Sequence, residues 1–501
     1  MQLLTSYTFT PGLSGQGTIT LPGVYALEYF TRVLNVTTNS VIYNPEDDNF
    51  GATLAVENSE TTITLRGNTS YCSSSDRLQI IVNETTGAAN SKLPTDLYGA
   101  LDAFGRQRVS ELYTIADYKT IYGINTDFLT STVGGGSSVA FAPDLSATLL
   151  TLGSNSGDRV TRQSRMYHSY QPGKSQLNLF SFVFGATVTN VSKKVGLFDD
   201  TNGVYFQLTG SGVKSMVLRS NIGGVFDEVI VPQTDWNVDP CDGTGPSGFN
   251  IDTTKTQLWF ADFQWLGVGR VRTGFVHNGI FIVAHEFYHS NILSTAYWSL
   301  PSLPLRAEMT ATGTPGATAT MYIICGTVAT EGGYVESGSD FSRATALRAV
   351  GDLNATLPMM AIRVANTFNS KPNRITVRPG PISCVSPVSG VRIDFIRLDS
   401  QTSVTGGNWV ADNVFSGVEY NVTPTGYSAA ANDEIMSSFF IPAGQGNNAP
   451  GLTDIAIPVA AKKGFIAQNI ASTDSQAFLI RATSLGSNAT CAAAFQWREI
   501  T

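Results

Sequence analysis

At 501 residues the chain is too long for one ordinary core, and about three domains are expected. Charged residues make up 14%, against roughly 25% in an average soluble protein, and Gly, Ser, Thr and Asn, which favour turns and strand edges, take their place. The net charge of −8 comes with scattered Lys and Arg and no basic run, which argues against nucleic acid as a direct ligand, and no stretch nears the ~20 apolar residues of a membrane helix.

The opening MQLLTSYTFTPGLSGQ has neither the basic start nor the apolar core of a signal peptide, so synthesis in a cytoplasm without export by the usual route is expected. GTITLPGVYALEYFTRVLNVTTNSVIYNP, ATLAVENSETTITLRG and DRLQIIVNE follow, runs of β-branched and aromatic residues bounded by Gly, Asn, Asp and Pro. They predict a small N-terminal β-sandwich over residues 1–95, serving attachment or assembly. ETTGAANSKLPTDLYGALDAFG reads as a linker with a short helical turn around Leu97 to Leu101.

The central region, 96–345, carries the densest hairpin signals. NLFSFVFGATVTNV, KVGLF, GVYFQLT, SMVLRS, DEVIVP, TQLWFADFQWLG, VRTGFVHNG and IFIVAHEFYHS all have strand chemistry. Asn278-Gly279 suits a tight primed turn, because both central residues must adopt positive φ. This many antiparallel strands predicts a jelly-roll or lectin-like sandwich, closed by a boundary at TEGGYVESGSDFSR. RATALRAVGDLNAT offers one short helix. A third sandwich is expected over 346–501, from LPMMAIRVA, NRITVRP, GVRIDFIRLD, EYNVTP, SSFFIPA, DIAIPVAA, AFLIRATS and AAAFQWREI. The fold class is therefore all-β, with tandem antiparallel β-sandwich or jelly-roll domains and very little helix.

Several patterns invite a chemical reading. His285-Glu286-Phe287-Tyr288-His289 matches HExxH, in which two histidines one helical turn apart bind zinc. Its context, GIFIVAHEFYHS after an Asn-Gly turn, is that of a returning strand. There the two histidines would lie about 13 Å apart at ~3.3 Å per residue, too far for one ion. His168 and His277 stand at no recognised third-ligand spacing. Gly243-Thr244-Gly245-Pro246-Ser247-Gly248 matches GxGxxG, but a strand-like FNIDTTKTQLWF follows where a dinucleotide site needs a helix. Pro172-Gly173-Lys174-Ser175 resembles the end of a phosphate loop whose first glycine is replaced by His168. Asp199-Asp200-Thr201-Asn202-Gly203 could offer oxygens to calcium but is also ordinary turn chemistry. None of these nominates a catalytic, cofactor or metal residue.

Trp259, Phe260, Phe263, Trp265, Phe275, Phe281, Phe287 and Tyr288 crowd one stretch and are expected to fill a sandwich core. Any exposed subset would make a sugar-binding or subunit-contact platform. Cys72, Cys241, Cys325, Cys384 and Cys491 form no CxxC pair, and an odd number precludes a fully paired disulfide framework. They are read as buried small hydrophobes in a reducing compartment. Sequons at Asn35, Asn68, Asn83, Asn190, Asn354, Asn421 and Asn488 are read as by-products of composition.

The stretches Asp102 to Ser110 (DAFGRQRVS), Tyr170 to Gln176 (YQPGKSQ), Leu197 to Gly203 (LFDDTNG), Asp242 to Gly248 (DGTGPSG), Asp262 to Arg272 (DFQWLGVGRVR), Glu331 to Tyr334 (EGGY) and Gln496 to Ile500 (QWREI) are ordered along the chain. Together they resemble a family of virion structural proteins of tailed bacteriophages, notably marine ones, with relatives in large aquatic viruses. The resemblance covers mainly residues 100 to 335 and the extreme C-terminus. It implies a particle component without transferable catalytic residues, as a head decoration, fibre, or tail or baseplate part.

The expected function is accordingly a non-enzymatic virion protein, working by self-association and docking to other capsid or tail proteins. A trimer is the expected order by analogy with fibres and decorations. The alternative is an adhesin that recognises a host surface glycan. A virion-associated hydrolase would require two close carboxylates or a metal, and nothing in the sequence nominates them.

Overall fold

Short apolar and β-branched runs pair antiparallel along the whole chain, and the alternation of inward and outward side chains sets their faces. The computed structural model describes residues 2–4, 6–12, 16–27, 30–45, 47–57, 60–82, 111–335, 337–444 and 464–500. The expected turn at 97–101, the motif at 102–110 and the strand at 454–461 lie outside them. The chain divides into two units, Met1–Pro94 and Thr95–Thr501.

The first unit contains two four-stranded sheets. One orders Gln2–Leu4, Leu78–Val82, Phe30–Asn35 and Ser40–Tyr43; the other orders Thr8–Thr10, Thr18–Pro22, Glu60–Leu65 and Ala52–Glu57. Phe9, Ile19, Leu21, Phe30, Val33 and Ile63 contribute to its core. The Asn35 amide is buried, donating to Asp76 Oδ2 at 2.7 Å and accepting from the backbone N–H groups of Thr37 and Thr38. That sequon nitrogen is a structural group in this fold.

The second unit begins with a sandwich of two large sheets. A seven-stranded sheet orders Phe128–Val133, Arg159–Ser164, Leu305–Ala311, Val191–Phe198, Gly203–Leu208, Lys214–Ser220 and Asp227–Pro232. An eight-stranded sheet runs Ser138–Ala142, Ala147–Thr151, Thr320–Glu331, Gln176–Val183, Gln257–Phe263, Val271–His277 and Ile280–Phe287, with Leu112–Lys119 also pairing Thr320–Glu331. Phe180, Phe206, Trp259, Phe275 and Trp298 pack between the sheets. The hairpin at 277–280 turns through Asn278 (φ 51°) and Gly279 (φ 80°), as the Asn-Gly pair predicts.

The change to the C-terminal sheets falls between Glu331 and Ser339, a few residues ahead of the expected boundary at 345. Six strands, Val410–Ala411, Val418–Asn421, Thr356–Val364, Ala477–Ser484, Val391–Leu398 and Glu434–Ile441, make one sheet. The other is built on the terminal strand Ala489–Ile500, which pairs with Ser339–Ala344, Arg348–Gly351 and Thr376–Val385. The short helix expected over RATALRAVGDLNAT is therefore corrected to two strands. Good helix formers are overridden here by pairing with the terminal strand, by Gly351 at φ 110°, and by Arg348 donating to the carbonyls of Pro358, Met359 and Pro424. Two neighbouring residues stitch the sandwiches together: Phe465 enters the central core and Ile466 the C-terminal one.

Candidate functional site

A cleft of about 580 Å³ in the second unit opens where the central and C-terminal sandwiches meet. Leu112–Lys119 brings Tyr113 and Ile115 to one wall. The chain leaving Arg159–Ser164 adds Met166, Tyr167 and Ser169, and Tyr334 follows Thr320–Glu331. The rings of Tyr113 and Tyr334 stack, 5.6 Å apart and 12° from parallel, because Tyr113 lies opposite Thr330 in the ladder.

The facing wall comes from two paired strands. Thr376–Val385 supplies Thr376 and Arg378, then bends through Pro379, Gly380 and Pro381 at a bulge. Ala489–Ile500 supplies Gln496 and Arg498, with Trp497 fixed in the core by donation from its Nε1 to Glu499 Oε1 at 3.0 Å. Arg498 grips Asp340 with two parallel bonds, Nε to Oδ1 at 2.8 Å and Nη2 to Oδ2 at 2.7 Å. Those bonds hold the Asp340 carboxyl below the usual carboxylate range. Asp340 is the only carboxylate among the described lining residues. Flat aromatic faces beside planar guanidinium and amide groups are the chemistry that receives a polyhydroxylated ring: C–H faces stack on tyrosine, and hydroxyls bond to Arg, Asp and Gln.

The residues singled out in the sequence lie elsewhere. His285 is in strand Ile280–Phe287, as its context predicts, and its Nδ1 accepts from the Asn237 backbone N–H at 3.3 Å. Burial pulls its pKa down to about 4. His289 lies past the strand end, with Nδ1 bonded to the Gly269 carbonyl at 2.8 Å and its ring stacked on Tyr297. Glu286 pairs with Arg270 and accepts from Tyr288. The two histidines of the motif thus have separate partners. His277 packs against Phe249, and His168 is buried in the central sandwich.

The loop 243–248 is organised by Asp239, which accepts from the backbone N–H groups of Cys241 and Ser247, and strand Gln257–Phe263 follows it. Lys174 donates to the Gly333 carbonyl. Asp199 Oδ1 accepts from the backbone N–H groups of Thr201 and Asn202 and from the Thr201 hydroxyl, while Asp200 pairs with Arg306 at 2.6 Å. The acidic segment is a turn tied into the protein's own hydrogen bonds. Trp259, Phe260, Phe263, Phe275 and Phe287 are buried as expected, Trp265 and Phe281 are half-buried, and Tyr288 is exposed.

A second constellation has no signal in the sequence. On the outer face of the seven-stranded sheet, register aligns Thr161, Glu308, Lys194, Gln207 and Ser215 in one row. The next row runs Gln163, Arg306, Gly196, Tyr205 and Val217. Arg306, 1% exposed, bonds Asp200, Glu308 and Gln163, and lies 5.5 Å from the Phe198 ring centroid. Arg219 lies 5.5 Å from the same ring and pairs with Glu228 at 2.8 Å. This is an internally compensated ladder, with each charge matched and each cation set against an aromatic face.

No family model matches the chain, and no curated protein matches it. Solved structures similar to it include a β-1,3-glucanase from Mycobacterium marinum, at 10% identity and TM-score 0.29, covering 43% of this chain and 98% of that one. The CBM2 module of the evolved Dit of Lactobacillus casei BL23 phage J-1 is 7% identical, with TM-score 0.30, and covers 45% of this chain and 99% of the module. The carbohydrate recognition domain of Emp47p is 10% identical, with TM-score 0.26, and covers 44% of this chain and 98% of that domain.

Proposed function

We propose that the chain is a non-enzymatic structural component of a virus particle of tailed-phage type, and that its inter-sandwich cleft binds saccharide. The observation that carries the binding half is the cleft itself, with stacked Tyr113 and Tyr334 facing Arg378, Gln496 and the Arg498–Asp340 pair across about 580 Å³. Its only described carboxylate is held ionised by Arg498, so it supplies no proton donor for glycoside cleavage.

The particle half is supported by the family resemblance, the low charge and the run of sandwich domains. The seven-stranded sheet also ends on Asp227–Pro232, an edge strand that exposes Val229 and Ile230 next to exposed Val225 and Phe226. Asp227, Glu228 and Pro232 blunt the ladder edge itself, while the four exposed apolar side chains offer a surface for contact with another chain.

A glycan array with the purified chain and a Tyr334→Ala variant tests the binding half. Binding by the wild type that the variant loses supports the cleft; no glycan bound, or equal binding by both, overturns it. Cryo-electron microscopy of the native particle tests the other half, which fails if no density of the assembly fits this chain.

A further inference from the structure

Strand Arg159–Ser164 of the seven-stranded sheet turns Val160 into the central core, and the two-residue period puts Arg162 on the same inward face. A guanidinium is thus set inside the sandwich, on a residue only 3% exposed. Its Nη1 donates to the Phe128 carbonyl at 2.8 Å and to Thr130 Oγ1 at 2.7 Å, and its Nη2 donates to the Asn125 carbonyl at 2.7 Å. The Phe128 ring centroid lies 5.6 Å from the guanidinium carbon. All of these partners are neutral. Burial and repulsion from Arg165 pull the Arg162 pKa down to about 10, and no described carboxylate opposes them. Arg165 has its own acid, Asp399, at 3.3 Å. The Nε of Arg162 has no hydrogen-bond partner among the described residues.

The eight-stranded sheet sets a second such group against it. Thr148 shares the inward face of Ala147–Thr151 with the core residue Leu150, is 1% exposed, and its Oγ1 also has no partner. Arg162 and Thr148 line one cavity of about 10 Å³, together with Phe128, Phe180, Ile323 and Gly326. Strand Thr320–Glu331 bulges at this point, its register against Gln176–Val183 stepping from Phe180–Gly326 to Phe182–Ile323. The space suits one occupant of about the size of a water molecule. Buried polar groups left unmatched by protein call for a water or an ion. A water could bond to both groups here, but it would leave a buried cation without a counter-charge. A monatomic anion accepts from Nε–H and from the threonine hydroxyl and supplies that charge as well. Carboxylate, sulfate and phosphate groups exceed the space.

We propose that the cavity between Arg162 and Thr148 binds a monatomic anion, chloride under physiological conditions, which bridges the two sheets of the central sandwich. The inference is independent of what the inter-sandwich cleft binds. Arg162 already holds Asn125, Phe128 and Thr130, so the ion fastens the edge strand Phe128–Val133 through this arginine to the opposite sheet.

The test uses the full chain in sodium gluconate, whose anion is far too large for the cavity. Gluconate is replaced stepwise by chloride at constant ionic strength, and the melting temperature is followed for the wild type and for Thr148→Val, which keeps the side-chain shape and removes the hydroxyl. The wild type should melt higher as chloride replaces gluconate, since a ligand that binds only the folded state stabilises it. Thr148→Val should bind chloride about tenfold more weakly, through loss of one hydrogen bond to a charged group, so its rise should need correspondingly more chloride. Wild-type melting that ignores the anion overturns the proposal, as does an equal rise in both proteins, which would place the chloride elsewhere. Wild-type crystals grown in sodium bromide locate the ion directly. Anomalous density beside Arg162 Nε and Thr148 Oγ1 is the expected result, and water alone at that position overturns the proposal.

Discussion

The hydroxyl of Tyr118 lies 2.9 Å from Nε2 of His168, inside the central sandwich, while Nδ1 of the same ring meets the Leu303 carbonyl at 2.8 Å. A carbonyl can only accept, so Nδ1 carries the proton, and Nε2 accepts from the tyrosine. The imidazole is thus held neutral between one acceptor and one donor, joining strand Leu112–Lys119 to the segment before Leu305–Ala311. Burial lowers its pKa to about 4.

Acid should therefore weaken the second unit through His168. An unfolded histidine titrates near 6.5, so between about pH 6.5 and pH 4 the unfolded chain binds a proton that the folded chain refuses. The group's stabilising effect is present above pH 6.5 and is lost as pH falls, by about 3 kcal/mol once both states are protonated. Denaturant unfolding of wild type and His168→Gln at pH 7 and pH 4 measures it. The variant should lose less stability on acidification, and equal losses would exclude this role.

Arg306→Met should destabilise the central sandwich by about 3 kcal/mol, because it removes the guanidinium from the buried Glu308 carboxylate and leaves Lys194, 3.7 Å away, as its cation. Arg306→Lys should also be destabilising, since a single ammonium cannot reproduce the bonds to Asp200, Glu308 and Gln163. Shifts in denaturation midpoint read both. Wild-type stability in Arg306→Met would mean that the ladder contributes nothing net.

Gly196 sits in the same row between Arg306 and Tyr205. A Cβ there would come 2.4 Å from the Val204 carbonyl oxygen and 2.6 Å from the Tyr205 Cα, both backbone atoms that cannot step aside. Gly196→Ala is expected to cost about 1–3 kcal/mol through forced separation of neighbouring strands. Gly135→Ala, with nothing within 4 Å of the added carbon, is the matched control and should be near neutral.

For the cleft, Tyr334→Ala is expected to weaken saccharide binding about tenfold by removing one stacking face, roughly 1.4 kcal/mol. Arg498→Lys should weaken binding too while keeping the charge, because the two-bond grip on Asp340 needs the planar guanidinium. Titration calorimetry with the best array ligand checks both. Unchanged affinity in both variants would place any binding site elsewhere.

Much of the architecture was legible because strand chemistry is local. GIFIVAHEFYHS declared itself a strand through its β-branched and aromatic content and the turn before it, and the structure places Ile280–Phe287 there. RATALRAVGDLNAT misled because Ala, Leu and Arg favour helix locally, while the fold needed partners for the terminal strand. Leu305–Ala311, reading LRAEMTA, is a central strand made largely of helix formers, so nothing in its composition announced the positions of Arg306 and Glu308.

What the sequence determined by itself was the class of fold, the hairpin turned by Asn278-Gly279, and the burial of the aromatic stretch around Trp259. Each depends on residues within a few positions of one another, where sterics and side-chain period act directly. Only the tertiary structure decided which distant residues meet. Tyr113 stacks on Tyr334 and Arg498 grips Asp340, because antiparallel register aligns strands more than a hundred residues apart. Register is set by the whole hydrophobic pattern of both sheets, so no local run of residues contains it.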